Sequence, residues 1–179
     1  MLRIVQETVP RDSGRSLVCL DYEGTTFDCP FHQHPELEIV RIDESHGRVL
    51  AGDGSGFFKP GDLYLFTGGL PHAFLNEVGT TCARSRYVQF QPELLDHAAS
   101  IWPEADPLRE VGVNMRRGLC LQEARARGVS RCLDNLFACE GPDRIGAWFE
   151  LLCAIPKARE EEQLASARYT GMPADRGIT

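Results

Sequence analysis

The sequence predicts a mainly β fold, a sandwich or barrel, followed by an α-helical hairpin. Three observations carry this. Between residues 16 and 92, short apolar runs alternate with Gly-, Asp- and Pro-bearing turns every eight to twelve residues. That rhythm belongs to sandwiches and barrels, not to strands separated by long helices. After Pro92 the apolar residues recur at helical spacing instead. Finally, 179 residues are enough for one sizeable core with a helical appendix.

The elements follow in order. Residues 1–15 are mixed and polar and read as an N-terminal arm with at most a short strand, of the kind that can close over a pocket. Leu17–Leu20 is apolar and ends near a Gly24-Thr25-Thr26 turn. Leu37, Ile39, Val40 and Ile42 form the next strand. The Asp43–Gly47 pentad then reads as a hairpin connection into Arg48-Val49-Leu50. Gly52–Gly56 turns the chain into Phe57-Phe58, and Pro60-Gly61-Asp62 turns it into Leu63–Phe66. Pro71–Leu75 and Cys82–Phe90 complete the strands. Glu93–Trp102 reads as a short helix and residues 103–118 as irregular. Helices are expected over 122–139 and 144–155, the latter with Asp143 as N-cap. On the last helix Ile145, Trp148, Phe149, Leu152 and Ile155 share one face, widened by Ala147 and Leu151. Such breadth suits burial on two sides, either between subunits or against the chain's own β-domain. The region from 161 to 179 reads as a linker or tail.

Composition excludes several classes. A formal charge of −7 disfavours binding of nucleic acid by this chain alone. No apolar run is long enough to span a bilayer, and the N-terminus lacks a signal-peptide core, so a cytoplasmic protein without membrane attachment is expected. Seven cysteines, an odd number with no Cys-x-x-Cys pair, argue against a disulfide framework or a four-cysteine zinc site. Cys132, Cys139 and Cys153 fall among apolar helical positions and read as small buried residues.

The chemistry concentrates between Phe31 and Asn76. His32 and His34, two apart, point to one side of a strand. His72 joins them if the chain folds back. With Glu38 these make a ligand set for a divalent metal such as Zn, Ni, Fe or Mn. On a straight strand Glu38 would lie about 13 Å from His34, four steps of roughly 3.3 Å, so a bend is required, and Pro35 is its natural place. Glu36 competes as the carboxylate. Without a metal, His32, His34, Glu38 and His72 would hydrogen-bond a polar ligand, a sugar or a carboxylic acid. Tyr22, Phe31, Tyr64, Phe66 and Phe74 are candidates for apolar walls. His46 and His97 receive no role.

These motifs resemble the cupins, small β-barrel proteins. His32-Gln33-His34, three residues and Glu38 match the first cupin signature, with Thr26 at its leading glycine and its trailing glycine, due at Ser45, displaced to Gly47. Gly61, Gly69, His72 and Asn76 match the second, with Thr67 in place of its proline. More narrowly, His34-Pro35-Glu36-Leu37-Glu38, Pro60-Gly61-Asp62-Leu63, Leu70-Pro71-His72 and Leu164-Ala165-Ser166 resemble the N-terminal sensor domain of AraC-family transcription regulators. The resemblance implies a cupin double-stranded β-helix, or jelly-roll barrel, over 16–92 that senses a small-molecule effector without turnover. It implies a helical dimerisation region over 93–160, with helices 122–139 and 144–155 forming a homodimer. It also implies DNA contact only through a C-terminal helix-turn-helix half that this chain lacks. Ligand contacts fall to His32, His34, Glu38, His72, Tyr22 and Phe74, and any metal to the first four. The alternative is a small metal-dependent cupin enzyme, an isomerase or dioxygenase, using the same four residues.

Overall fold

A computed structural model describes residues 3–10, 14–157 and 162–169. Its strands form two sheets. The first has the order β1-β3-β8-β5-β6, from Val5–Gln6, His32–Gln33, His72–Asn76, Gly47–Ala51 and Gly54–Phe58. The second runs β11-β10-β7-β4-β9-β2, from Glu162–Gln163, Leu119–Leu121, Leu63–Phe66, Leu37–Glu44, Ala83–Phe90 and Leu17–Gly24. Helices α1 (Glu93–Ile101), α2 (Leu108–Asn114), α3 (Glu123–Ala138) and α4 (Gly141–Ala154) follow. The result is mostly β-sheet with helices. Among the described residues the two sheets stay distinct and no closed barrel forms.

Strand alternation sorts the second sheet's side chains into two cores. Leu37 and Ile39 of β4, Leu63 and Leu65 of β7, and Val88 and Phe90 of β9 face the helices, where Leu133, Leu136, Trp148 and Leu152 cover them. Val40, Ile42, Tyr64 and Phe66 face the other way and meet Val49, Ala51 and Phe58 of the first sheet. The central strands therefore carry apolar residues on both sides, and their polar exceptions stand out. Glu38 and Gln89 are register partners on the inter-sheet side and are almost fully buried.

Charge fixes α3 on its sheet. Asp134 accepts from Arg41 Nη1 at 2.8 Å and from Arg86 Nη1 at 2.9 Å, and the Arg86 guanidinium lies 4.4 Å from the Phe137 ring centre. Asp62, buried in the β6–β7 turn, accepts the Glu123 backbone N–H at 3.0 Å. It thus satisfies an orphan donor at the start of α3 from across the fold.

Several expectations need correction. The 103–118 stretch is not irregular, since it contains α2 and two short 3-10 turns. Helix α4 begins at Gly141 with Glu140 in the cap position, and Asp143 lies inside its first turn. Trp148 is 4% exposed, its ring set edge-on against Phe90 at 5.3 Å, so its face belongs to the chain's own core. Ile145, expected on the same face, is half exposed. Cys153 is exposed, while Cys132 and Cys139 are half-buried.

Residues 162–169 are not a free tail. β11 pairs with β10, Leu164 and Ala165 donate backbone bonds to Gly118 O and Arg117 O, and Asp53 accepts both the N–H and the hydroxyl of Ser166. Gly54 is needed for this docking, because a Cβ there would overlap the Leu164 carbonyl. The rest of the expected tail, 170–179, lies outside the described residues.

Candidate functional site

The site forms where three strands converge. His32 and His72 are register partners across β3 and β8. His34 follows β3 by one residue. The chain breaks its strand over residues 34–36 and resumes as β4 at Leu37, so the bend expected at Pro35 is present. It brings Glu38 Oε2 within 3.1 Å of His34 Nε2. The return of His72 depends on the 67–69 turn. Gly69 N–H donates to His34 O at 2.8 Å, and Gly68 packs on the Pro35 carbonyl, where a Cβ would overlap it.

Three imidazoles and two carboxylates result, all nearly buried: His34 and His72 at 1% exposure, Glu36 at 3%, Glu38 at 6% and His32 at 7%. The His32 and His72 ring centres are 4.4 Å apart, those of His34 and His72 5.3 Å. Phe66 stacks on His72 with centroids 4.1 Å apart and planes 11° from parallel.

The tautomers follow from the partners. A carbonyl only accepts, so His72 Nδ1–H donates to Leu70 O at 2.8 Å and His32 Nδ1–H donates to Pro30 O at 2.8 Å. The lone pair of His72 Nε2 then has no hydrogen-bond partner, though it is buried, and it faces Glu38 Oε1 at 3.8 Å. His34 is held between carboxylates, with Nε2 at Glu38 and Nδ1 3.6 Å from Glu36 Oε2. Glu36 accepts from Gln91 Nε2 at 2.7 Å, and Glu38 from Gln89 Nε2 at 2.7 Å.

Electrostatics follow the same geometry. Burial pushes His72 down to about 4 despite the opposing Glu38 charge. Burial would raise Glu38, but the His34 hydrogen bond, the His72 and His34 charges and Gln89 hold it at about 2. Burial likewise opposes the charge on His32, yet Cys29, Glu7 and the Pro30 carbonyl lift it to about 10.

The donor set fits a divalent ion. His32, His34 and His72 offer ligand atoms within 4.8 Å of one another. In His32 and His72 Nδ1 is turned to a backbone carbonyl and Nε2 is left for an ion, the usual way outer partners orient metal-binding histidines, while His34 meets Glu38 through Nε2. Glu38 stands beside this trio. The adjoining cavity of about 100 Å³ is lined by Tyr22, Phe27, Phe74 and Tyr87, with Glu7 and Cys29 at its edge. Among the described residues no Lys or Arg lines it. Tyr22 and Phe74 line the cavity. Tyr64 and Phe66 are instead fully buried core, and Phe31 does not line it. His46 and His97 are exposed, away from it.

Sequence reasoning missed Glu7, Cys29, Phe27, Tyr87 and Gln89. Gln89, a polar residue between Val88 and Phe90 on an apolar strand, carried a legible signal. Glu7 carried none.

A mostly β domain with a buried, histidine-rich pocket is the frame of a small-molecule-binding domain. The chain belongs to the AraC-like ligand binding domain family, whose profile it matches over residues 16–155. The search of curated proteins finds no match. Among solved structures it is similar to ToxT from Vibrio cholerae O395 bound to (E)-4-(8-methylnaphthalen-1-yl)but-3-enoic acid. That likeness has a TM-score of 0.52 and 11% identity, over 80% of this chain and 57% of ToxT. The chain thus spans little more than half of ToxT's length. Lesser likenesses are to a cupin 2 conserved barrel domain protein from Rhodopseudomonas palustris (TM-score 0.38, 19% identity, 46% of this chain and 57% of that one) and to the Fe(II) form of HppE with substrate (TM-score 0.38, 26% identity, 42% and 46%). Among the described residues, no helix is long and apolar enough to cross a membrane.

Proposed function

We propose that this chain is the effector-sensing domain of an AraC-family transcription regulator. In this reading its two sheets are a cupin jelly-roll, and its pocket holds a divalent metal through His32, His34, His72 and Glu38. Operator contacts would fall to a helix-turn-helix half outside residues 16–155, and α3 and α4 would contribute to a homodimer. The observation that carries the site reading is the buried, unpartnered His72 Nε2 facing a carboxylate oxygen at 3.8 Å. Two acceptors that close need a cation or a donor between them. A bound ion would supply a Lewis-acidic anchor for an effector oxygen. Tyr22, Phe74 and their aromatic neighbours would enclose the remainder of a small effector. The half-exposed Ile145 on α4 supports a subunit contact at that helix.

The same donor set suits the runner-up, a metal-dependent isomerase or dioxygenase. The experiment separates them. Tag-free protein is dialysed against Zn, Ni, Fe or Mn, and small polar molecules are screened for metal-dependent thermal stabilisation. A sensor returns its ligand chemically unchanged, and His72→Ala abolishes the stabilisation. Consumption of the ligand over many turnovers establishes the enzyme instead. Absence of metal binding by the wild-type chain removes the metal from either reading.

A further inference from the structure

The N-terminal arm reaches the site, and it does so with a carboxylate. β1 runs parallel to β3, with Val5 opposite His32 and Gln6 opposite Gln33. Val5 N–H donates to Phe31 O at 3.0 Å and Glu7 N–H donates to Gln33 O at 2.9 Å. Beyond them Val9 is buried, at 6% exposure, and pins the far end of the arm. This places Glu7 Oε2 3.1 Å from His32 Nε2. That nitrogen is the one left for an ion once Nδ1–H is committed to Pro30 O.

We propose that Glu7 is a metal ligand, so that an ion held by His32, His34 and His72 also fastens the N-terminal arm across the mouth of the pocket. This rests on the metal reading given above. Placement supports it. Glu7 and Glu38 approach the three imidazoles from different elements, Glu7 at His32 Nε2 and Glu38 Oε2 at His34 Nε2, 3.1 Å in each case. The rival oxygen-or-sulfur donor is Cys29, which with Glu7 and His32 forms a second trio of ligand atoms within 4.8 Å of one another. Its contact is with His32 Nδ1, at 3.2 Å, on the side already turned to Pro30 O. Cys29 is also exposed. The geometry therefore assigns the shared ion to Glu7 and leaves the thiol outside its coordination.

The test uses the full chain and Zn²⁺ alone. Zinc affinity is measured by competition with a chromophoric chelator, and hydrogen exchange is followed at the amides of Val5 and Glu7 with and without zinc. Wild type binds zinc, and zinc slows exchange at both amides. Glu7→Gln, at a half-exposed position, stays folded by circular dichroism, weakens zinc by about tenfold or more and loses the zinc-dependent slowing. Cys29→Ser changes neither readout, and Co²⁺ bound in place of zinc shows no thiolate-to-metal charge-transfer band. Wild-type zinc affinity in Glu7→Gln, with the arm still protected, overturns the assignment while leaving the three-histidine site standing. So does transfer of the loss to Cys29→Ser. A wild-type chain that binds no zinc overturns it together with the metal reading.

Discussion

His72 lies flat against Phe66 while its Nδ1–H is held by the Leu70 carbonyl, so this imidazole is fixed in both plane and rotation before any ligand arrives. What remains is a single bare nitrogen in a buried place, and such a group carries a desolvation cost of about 1–3 kcal/mol.

His72→Phe exchanges that cost for an apolar ring of similar shape and loses one hydrogen bond of about 1 kcal/mol. Metal-free stability should therefore stay level or rise, while stabilisation by added zinc disappears. Calorimetry in chelator and in zinc, on both proteins, checks the two halves separately.

The pH dependence of the metal-free protein has a defined sign. His72 is depressed from 6.5 to about 4, so the unfolded chain takes up its proton first and stability falls as pH drops from 6.5 to 4. Glu38, held at about 2 instead of 4.5, contributes stability that is lost between those values, and Glu7 is lowered in the same sense by its His32 hydrogen bond. His32, raised to about 10, contributes fully below 6.5 and loses its contribution as pH rises through 10. Denaturant midpoints in chelator should peak near 6.5, and His72→Phe should flatten the 6.5-to-4 limb alone.

Much of this was legible in sequence. The turn glycines located strands β2 and β4 to β9, and the His-x-His spacing with Pro35 foretold the bend that seats Glu38. What escaped depended on distant pairing. The three residues of β10 have no pattern of their own and become a strand only against β7 and β11. Glu7 is an ordinary acid in a polar arm until β1 lays it beside His32. Ser45 taught the opposite lesson. It occupies the signature's glycine position with φ of 101°, so the backbone kept the register and Gly47 did not take it over.

Asn76 explains how a serine is tolerated there. Its Nδ2 donates to Ser45 Oγ at 2.5 Å and its Oδ1 accepts from Phe27 N–H at 2.6 Å, tying a strained turn to a wall of the pocket. Ser45→Ala keeps the strain and loses the acceptor, so it should cost about 1–2 kcal/mol. Ser45→Gly relieves a strain of about 1 kcal/mol or more and should be the milder change. Asn76→Ala loses both bonds, at about 2 kcal/mol, and should also weaken effector binding through Phe27. Chemical denaturation ranks the three.

Helix α4 offers a paired test of self-association. Trp148→Glu places a charge in the core beside Phe90 and should unfold the chain, at a cost of about 3–5 kcal/mol or more. Ile145→Glu alters a half-exposed residue and should leave circular dichroism unchanged. If α4 lies between subunits, sedimentation of this second variant shifts from dimer to monomer.

The docking of Glu162–Gln163 along β10 bears on how this protein is handled at the bench. A shortened version stopping at residue 155, where the family match ends, would strip that strand away. It would bare the edge of Leu119 and Cys120 that faces away from β7 and vacate the recess where Gly54 and Gly118 receive Leu164. Naked strand borders are adhesive. The safer cut falls after Tyr169.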